Sequence, residues 1–308
     1  MPNYDVIVIG SGLAGLTAGL FAARHGLSTL VLESNIPGGH LMNIEKIEDF
    51  PGFPDGVAGY DLCPGLQRQA ADQGAEFQRA EVLRLEPKDR FWSVVTDEEE
   101  HRSKAVIVAT GSSLKELGVP GEAKLQGRGV SHCASCDGPL YNGQVVGVVG
   151  GGDAALQEAL TLSNYAESVV IFNREESFAG QQSYLQRALS NAKIRPRHRT
   201  VVEEILGDAV VSAVRARDLK TDEVSQIALA GVFVYVGTQP NTALLKDIVK
   251  LSDTGHVPTD GWMKTQRDGL YAAGDIRKDS ASQAITCAGD GATAAIAAYR
   301  YIKETFSE

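Results

Sequence analysis

Residues 4–33 read YDVIVIGSGLAGLTAGLFAARHGLSTLVLE. The run Tyr4–Ile9 is β-branched and almost continuously apolar, the pattern of a strand buried on both faces. It passes directly into Gly10-Ser11-Gly12-Leu13-Ala14-Gly15, and a helix-forming stretch follows from Leu16 to about His25, stopped by Gly26. A second apolar strand, Ser28–Leu32, ends at Glu33. Together these make one βαβ unit. Gly10 permits the tight turn, Gly12 lets a pyrophosphate approach the backbone, and Gly15 lets helix and strand pack closely. The start of the helix offers unpaired N–H groups and partial positive charge to phosphates. Glu33 follows Gly15 by 18 residues, where a carboxylate accepts hydrogen bonds from ribose hydroxyls. A glycine-rich turn alone would fit other α/β folds. The strand before it, the helix after it and the acid at that offset make it a dinucleotide-binding fingerprint.

The pattern occurs twice. Gln144–Val149 (QVVGVV) feeds Gly150-Gly151-Gly152-Asp153-Ala154-Ala155, then a helix to about Tyr165 and the strand Ser168–Phe172. Ala155 replaces the third glycine and still permits close packing. The same offset of 18 now falls on Asn173, with Arg174 the adjacent base and Glu175 the nearest acid. A second nucleotide site is therefore expected on Gly150, Gly152, Asp153, Ala154 and Arg174, with its preference for a 2′-hydroxyl or a 2′-phosphate open. Between the units lie the sheet segment Trp92–Val95, an acidic turn at Asp97–Glu100, and the strand Ala105–Ala109 ending in Thr110-Gly111. A later strand, Gly231–Val236, runs into Gly237-Thr238-Gln239-Pro240-Asn241. Gly and Pro at both places mark paired connections where the chain leaves one domain and returns. The expected fold is α/β, with two Rossmann-like three-layer (ββα) nucleotide-binding domains, the second (114–239) inserted into the first (1–113 and 240–308).

The length of 308 residues suits two domains at roughly 150 residues each. Hydrophobic residues at 43% and charged residues at 22% describe a globular chain rather than a disordered one. A formal net charge of −10 repels phosphate backbones and argues against a nucleic-acid partner. No apolar run approaches the roughly 20 residues that span a bilayer, so no membrane partner is expected. The N-terminus lacks a cationic leader and a long apolar core, which reads as a cytoplasmic chain. Glycine, at 33 residues against roughly 22 expected from average usage, suggests backbone that approaches a ligand closely.

Chemistry concentrates in His132-Cys133-Ala134-Ser135-Cys136-Asp137. Cysteines three apart close a small disulfide ring, and at a helix N-terminus one thiol can ionise near neutral pH. Asp137 is placed to give or take a proton at the departing thiol. Structural zinc needs four ligands, and there is no second C-x-x-C or H-x-H, so no metal is expected. Two merely buried cysteines remain the bland alternative. Cys63, early in a helix-like stretch, and Cys287, in the first turn of the last helix, read as packing residues.

Near the end, Gly269-Leu270-Tyr271-Ala272-Ala273-Gly274-Asp275 delivers an acid to a turn. From Gln283 to about Lys303 the pattern is helical, with Ile285, Ala288, Ala292, Ile296 and Tyr299 on one face. Its alanines and glycines permit close packing. Tyr299, Tyr301 and Phe306 read as packing residues.

Taken together, these residues resemble the low-molecular-weight thioredoxin reductase family of flavoprotein disulfide oxidoreductases over essentially the whole chain. Beyond both glycine turns, the resemblance rests on Gly38-Gly39-His40-Leu41, Glu48-Asp49-Phe50-Pro51-Gly52, Ala109-Thr110-Gly111, Cys133-Ala134-Ser135-Cys136-Asp137-Gly138 and Ala273-Gly274-Asp275. It implies FAD in the first domain, with Gly10, Gly12, Leu13, Ala14 and Gly15 at its pyrophosphate and Glu33 at its ribose. Gly39, Thr110 and Gly111 join that site. His40 matches a flavin-site glutamine and Asp49 a flavin-site asparagine. Asp275 would hold the ribityl or pyrophosphate region, and Gln283 with Ala284 would lie against the flavin. Cys136 would face the flavin, Cys133 would attack a thioredoxin-like protein disulfide, and Asp137 would be the acid–base group. The family is homodimeric, and its smaller domain rotates between flavin-reducing and substrate-reducing positions.

The departures cluster at the electron-donor site. NADPH-dependent members carry H-R-R-x-x-x-R after the second strand of the second domain. The matching stretch, Phe172-Asn173-Arg174-Glu175-Glu176-Ser177-Phe178, lacks the His and two of the three Arg and adds two acids. Each charge-assisted bond to a 2′-phosphate is worth about 1.5–3 kcal/mol, so losing two costs roughly two to four orders of magnitude if additive. The family's Arg-Gln pair reads Ser282-Gln283. Three donors stay open. NADPH would bind weakly through Arg174 and the basic run Arg195-Pro196-Arg197-His198-Arg199. NADH, or a reduced protein such as ferredoxin, would replace it. The reading favours a donor other than NADPH. A flavin-binding redox sensor without turnover is the alternative from another functional class.

Overall fold

The computed structural model describes residues 3–306. In chain order the first part contains β1 (Asn3–Ile9), α1 (Leu13–Arg24), β2 (Thr29–Glu33), α2 (Gly59–Ala71), β3 (Glu76–Arg79), β4 (Val82–Lys88), β5 (Phe91–Thr96), β6 (Glu100–Val108) and β7 (Ser112–Leu114). The middle part contains α3 (Glu122–Leu125), β8 (Val130–Ser131), α4 (Ala134–Asp137), β9 (Val145–Val149), α5 (Asp153–Ser163), β10 (Ser168–Phe172), α6 (Gln182–Ser190) and β11 (Ile194–Arg197). It continues with β12 (Thr200–Gly207), β13 (Val211–Asp218), β14 (Val224–Ala228) and β15 (Gly231–Val234). The chain returns through β16 (Thr238–Pro240) and ends with β17 (Leu270–Ala272) and α7 (Ala284–Phe306). Two units result: Met1–Ser113 with Gln239–Glu308, and Leu114–Thr238 between them. β7 and β16, the outgoing and returning segments, pair with each other.

In the first unit the strand order is β3-β2-β1-β6-β5-β4, with β17 also on β6. β1 runs parallel to both β2 and β6, so Ile9 lies beside Leu32 and Val108 at one edge of the sheet. Alternation along β1 serves two cores. Val6 and Val8 pack with Ala14, Ala18, Ala294 and Ala298 of α1 and α7, while Ile7 and Ile9 pack with Leu30, Leu32, Val94 and Leu245 on the other face. Fully burying such a side chain stabilises by about 1.5–3 kcal/mol, so one strand of β-branched residues secures both layers.

The second unit repeats the plan as a five-stranded parallel sheet, β11-β10-β9-β15-β8. α5 and α6 cover one face through Leu156, Ala159, Leu162, Tyr184 and Ala188. A three-stranded antiparallel sheet, β12-β13-β14, covers the other through Val202, Ile205, Val211 and Val214, completing three layers.

Two expectations need correction. Helix α1 begins at Leu13, three residues before the expected Leu16, because the last part of the glycine turn already forms the first helical turn. The buried residues of α7 are Asp290, Gly291, Ala294, Ala295, Ala297, Ala298 and Ile302, not the face through Ile285, Ala288, Ala292, Ile296 and Tyr299. Ile285 is exposed. The reason is backbone approach: a Cβ on Gly291 would lie 2.1 Å from the Ala14 carbonyl oxygen, so α7 meets α1 through its smallest residues. Tyr299, Tyr301 and Phe306 pack against the resulting core. Among the described residues, no helix is long and apolar enough to cross a membrane.

Candidate functional site

The carboxyl edge of β1 and the start of α1 open onto a cavity of about 960 Å³. Gly10 takes φ +94°, and a Cβ there would lie 2.5 Å from the Ala109 carbonyl oxygen. A Cβ on Gly15 would lie 1.9 Å from the Gly10 carbonyl oxygen, so the helix reaches the turn only without a side chain. Gly12 caps α1 with no side-chain hydrogen bond, and nothing lies within 4 Å of its missing Cβ. No acid occupies the first helical turn. The unpaired amides at this end therefore face open space, which suits a phosphate-bearing ligand. Glu33 lies at the rim, where Oε2 accepts from the Ser11 amide and hydroxyl, each at 2.8 Å, and Oε1 accepts from the Asn35 amide at 2.9 Å.

Gly10, Gly12, Leu13, Ala14 and Glu33 line the cavity together with Gly39 and His40. So do Thr110, Gly111, Asp275, Gln283 and Ala284. Gly15 lies outside the lining, in the helix–turn contact just described. Asp49 also lies outside it, on an exposed bend. A ring nitrogen of His40 is 2.6 Å from the Ser112 carbonyl oxygen, which joins the Gly39 segment to the segment after β6. The size of the cavity, its glycine-lined phosphate end and its rim carboxylate fit FAD.

The far wall depends on residues that sequence reading did not assign. Asp275 follows Gly274, which takes φ +78°. Buried Asp290 accepts from the Gly274 amide at 3.1 Å and pairs bidentately with Arg277 at 2.6 and 3.1 Å, clamping this turn to α7. A carboxylate on the buried face of an alanine-rich helix was the available signal. Cys287, read as a packing residue, does pack against the core of the first unit, and it also lines the cavity and donates its thiol to Asp275 Oδ1 at 3.2 Å. Burial, and then the charge of Asp275, push this thiol well above its usual range. Apolar periodicity cannot reveal such a contact, because Asp275 and Cys287 belong to different elements. Cys63 is a core thiol, 1% exposed, with Sγ 3.7 Å from the Gly38 carbonyl oxygen.

The redox pair belongs to the second unit. Cys133 and Cys136 form a disulfide, with S–S 2.06 Å. Cys133 caps α4, and its Sγ accepts from the Cys136 amide at 3.2 Å and lies 3.5 Å from Ser135 Oγ. His132 Nδ1 is 2.9 Å from the Val234 carbonyl oxygen, which anchors the approach to the pair. Cys133 is half-buried and Cys136 exposed. Asp137 closes the short helix, and its amide donates to the Cys133 carbonyl at 3.1 Å. Its charge reaches two phenols: burial first, and then Asp137, raise Tyr141. Burial, with Glu158 and Asp137 beside it, raises Tyr235.

The second glycine turn is in register with the first. The Gly10 amide donates to Leu32 O at 2.8 Å, and the Gly150 amide to Phe172 O at 3.0 Å. Asn173 therefore holds the position of Glu33. Gly150 and Gly152 repeat the turn, and Gly152 caps α5 without a side-chain bond. Asp153 accepts from the Gln181 amide at 2.6 Å and from its side chain at 3.2 Å. Ala154 is exposed in the first turn of α5. Arg174 is exposed and pairs with Glu175 at 3.0 Å.

The sequence matches the family described as pyridine nucleotide-disulphide oxidoreductase over residues 4–291. It is 39% identical over 300 residues to the thioredoxin reductase of Treponema pallidum, covering 97% of each chain. It is 41% identical over 302 residues to the thioredoxin reductase of Mycolicibacterium smegmatis, covering 98% of this chain and 97% of that one. The crystal structure of Lactococcus lactis thioredoxin reductase superposes with a TM-score of 0.95 at 37% identity, covering 98% of this chain and 99% of that one. With its two Rossmann-like units and its Cys133–Cys136 pair, the chain belongs to the pyridine nucleotide-disulphide oxidoreductase family, in the low-molecular-weight thioredoxin reductase class.

Proposed function

We propose that the chain is an FAD-dependent oxidoreductase that reduces the disulfide of a thioredoxin through Cys133 and Cys136. The supporting observation is a C-x-x-C disulfide capping a short helix, in a chain whose other unit presents a glycine-lined cavity of flavin size. The backbone of Gly12, Leu13 and Ala14, with Glu33 and Asp275, would hold the cofactor. FAD held there would supply the electron pair needed to open the Cys133–Cys136 bond.

The protein's own groups complete the reaction. In the disulfide form the Cys136 amide and the Ser135 hydroxyl lie 3.2 and 3.5 Å from Cys133 Sγ, and donors so placed would favour its thiolate once the bond is opened. That thiolate attacks one sulfur of the substrate disulfide, forming a mixed disulfide and releasing the other substrate sulfur as a thiolate. Asp137 is the proton carrier for the sulfurs leaving and entering the thiol state. Cys136 then attacks Cys133, the Cys133–Cys136 bond re-forms, and the substrate leaves as a dithiol.

The finer reading concerns the donor. Asn173 stands where the first unit has a ribose-binding acid, and the neighbouring arginines Arg174 and Arg199 are ion-paired. These features favour a donor other than NADPH, either NADH or a reduced protein of the ferredoxin type. By family likeness the protein works as a cytoplasmic homodimer.

An anaerobic titration of the flavin-loaded protein tests this reading. The oxidised flavin band is followed while NADPH, NADH or a strong chemical reductant is added, and thioredoxin disulfide is then supplied. Reoxidation of the reduced protein by thioredoxin is expected. Bleaching by near-stoichiometric NADPH would overturn the donor reading. A fully reduced protein that leaves thioredoxin disulfide untouched would overturn the activity.

A further inference from the structure

The corner beside the second glycine turn is closed by its own side chains. Asn173 is 3% exposed, and its carboxamide is committed locally. Nδ2 donates to Ser177 O at 2.9 Å, and Oδ1 accepts from the Glu175 amide at 3.2 Å. The turn that follows is folded onto the end of β11: Asn173 N donates to Arg197 O at 2.9 Å, and Arg199 N donates to Glu175 O at 3.0 Å. This fold-back brings two arginines to the corner, and each meets a carboxylate. Arg174 Nε is 3.0 Å from Glu175 Oε1, and Arg199 Nη1 is 2.8 Å from Glu176 Oε1.

We propose that Glu175 and Glu176 are specificity-determining residues that exclude a 2′-phosphate from the second glycine turn by neutralising Arg174 and Arg199. The proposal rests on the donor reading above and names the residues that enforce it. A 2′-phosphate carries nearly two negative charges and needs cations whose donors are unclaimed. Here it would meet two guanidinium groups already paired, with two carboxylates within the same turn. The pairs are exposed, so they add little to stability. Their effect is on which anion the corner accepts. Asn173 cannot compensate, being neutral and spent on its own turn.

The test uses the full chain with its flavin site filled, so that adenosine probes report on the second glycine turn alone. Binding of 2′,5′-ADP and of 5′-AMP is measured by calorimetry for the wild type, for Glu175→Ala/Glu176→Ala, and for Glu175→Gln/Glu176→Gln. The wild type is expected to bind the two probes within about threefold of each other, and each double variant to bind 2′,5′-ADP roughly tenfold more tightly while 5′-AMP stays within about twofold. A wild type that prefers 2′,5′-ADP by about tenfold or more would overturn the donor reading, and this proposal with it. A wild type without preference, joined to variants that gain nothing or gain equally for both probes, would overturn this proposal alone. Unchanged flavin content in both variants checks that the fold is intact.

Discussion

The Cys287 thiol donates to Oδ1 of Asp275 across 3.2 Å, from the first turn of α7 to the turn after β17. Ser112 Oγ reaches the other carboxylate oxygen at 3.4 Å. The thiol keeps its proton because burial and the adjacent carboxylate both oppose its ionisation, so it remains a donor at neutral pH. Asp275 is thereby held facing the cavity. Cys287→Ala should weaken FAD binding roughly three- to tenfold, the worth of one net hydrogen bond, while Cys287→Ser should bind as the wild type does. Equilibrium dialysis of the apoprotein against FAD measures both. Equal affinities for all three proteins would show that the contact does not orient Asp275.

The glycines of the first turn should separate folding from binding. Gly15→Ala sets a methyl against the Gly10 carbonyl backbone, and such overpacking costs about 1–3 kcal/mol. Gly12 has φ −63° and open space at its missing Cβ, so Gly12→Ala carries no such clash. The alanine methyl would enter the cavity at its phosphate end. Thermal melts of the two apoproteins should show a lowered midpoint for Gly15→Ala only. FAD affinity should fall for Gly12→Ala although its apoprotein melts normally.

Reductive titration should count the disulfide. The wild type should take up one electron pair for its flavin and a second for Cys133–Cys136. Cys133→Ser/Cys136→Ser should retain flavin, take up only the first pair, and lose thioredoxin reduction by at least about a thousandfold, as loss of a covalent redox group predicts. An unchanged electron count in the double variant would place the second acceptor elsewhere.

Cys63 gives a pH dependence with a definite sign. Burial pushes its thiol from 9.0 up to about 11 in the folded chain. The folded state therefore holds this proton more tightly than the unfolded state. Its contribution to stability is complete below pH 9 and is lost as pH rises through 11. Urea unfolding at pH 8 and at about pH 10.5 should show a smaller loss of stability for Cys63→Ala than for the wild type. Alkylation at pH 8 should leave Cys63 unlabelled in the native protein and label it once unfolded.

The β-branched, almost continuously apolar run Tyr4–Ile9, the glycines at 10, 12, 15, 150 and 152, and the C-x-x-C could all be read from the chain because each states a local requirement. A residue with φ +94° at Gly10, or a missing Cβ against a carbonyl at Gly15, is a constraint that the one-dimensional pattern carries intact. The face of α7 was misread for the opposite reason. Periodicity weighs apolarity, whereas the contact with α1 selected smallness, and Gly291 and Ala294 outrank Ile285 there.

By itself, the sequence determined two Rossmann-like units, their nesting, and a redox cysteine pair, since those follow from short-range sterics and from spacing along the chain. Only the tertiary structure decided that Cys287 serves Asp275, that Asp290 and Arg277 clamp the turn between them, and that Glu176 meets Arg199. Each of these joins residues 12 or more positions apart. Charge and hydrogen-bonding partners at that separation are chosen by how sheets and helices pack, and no local pattern of residues encodes the choice.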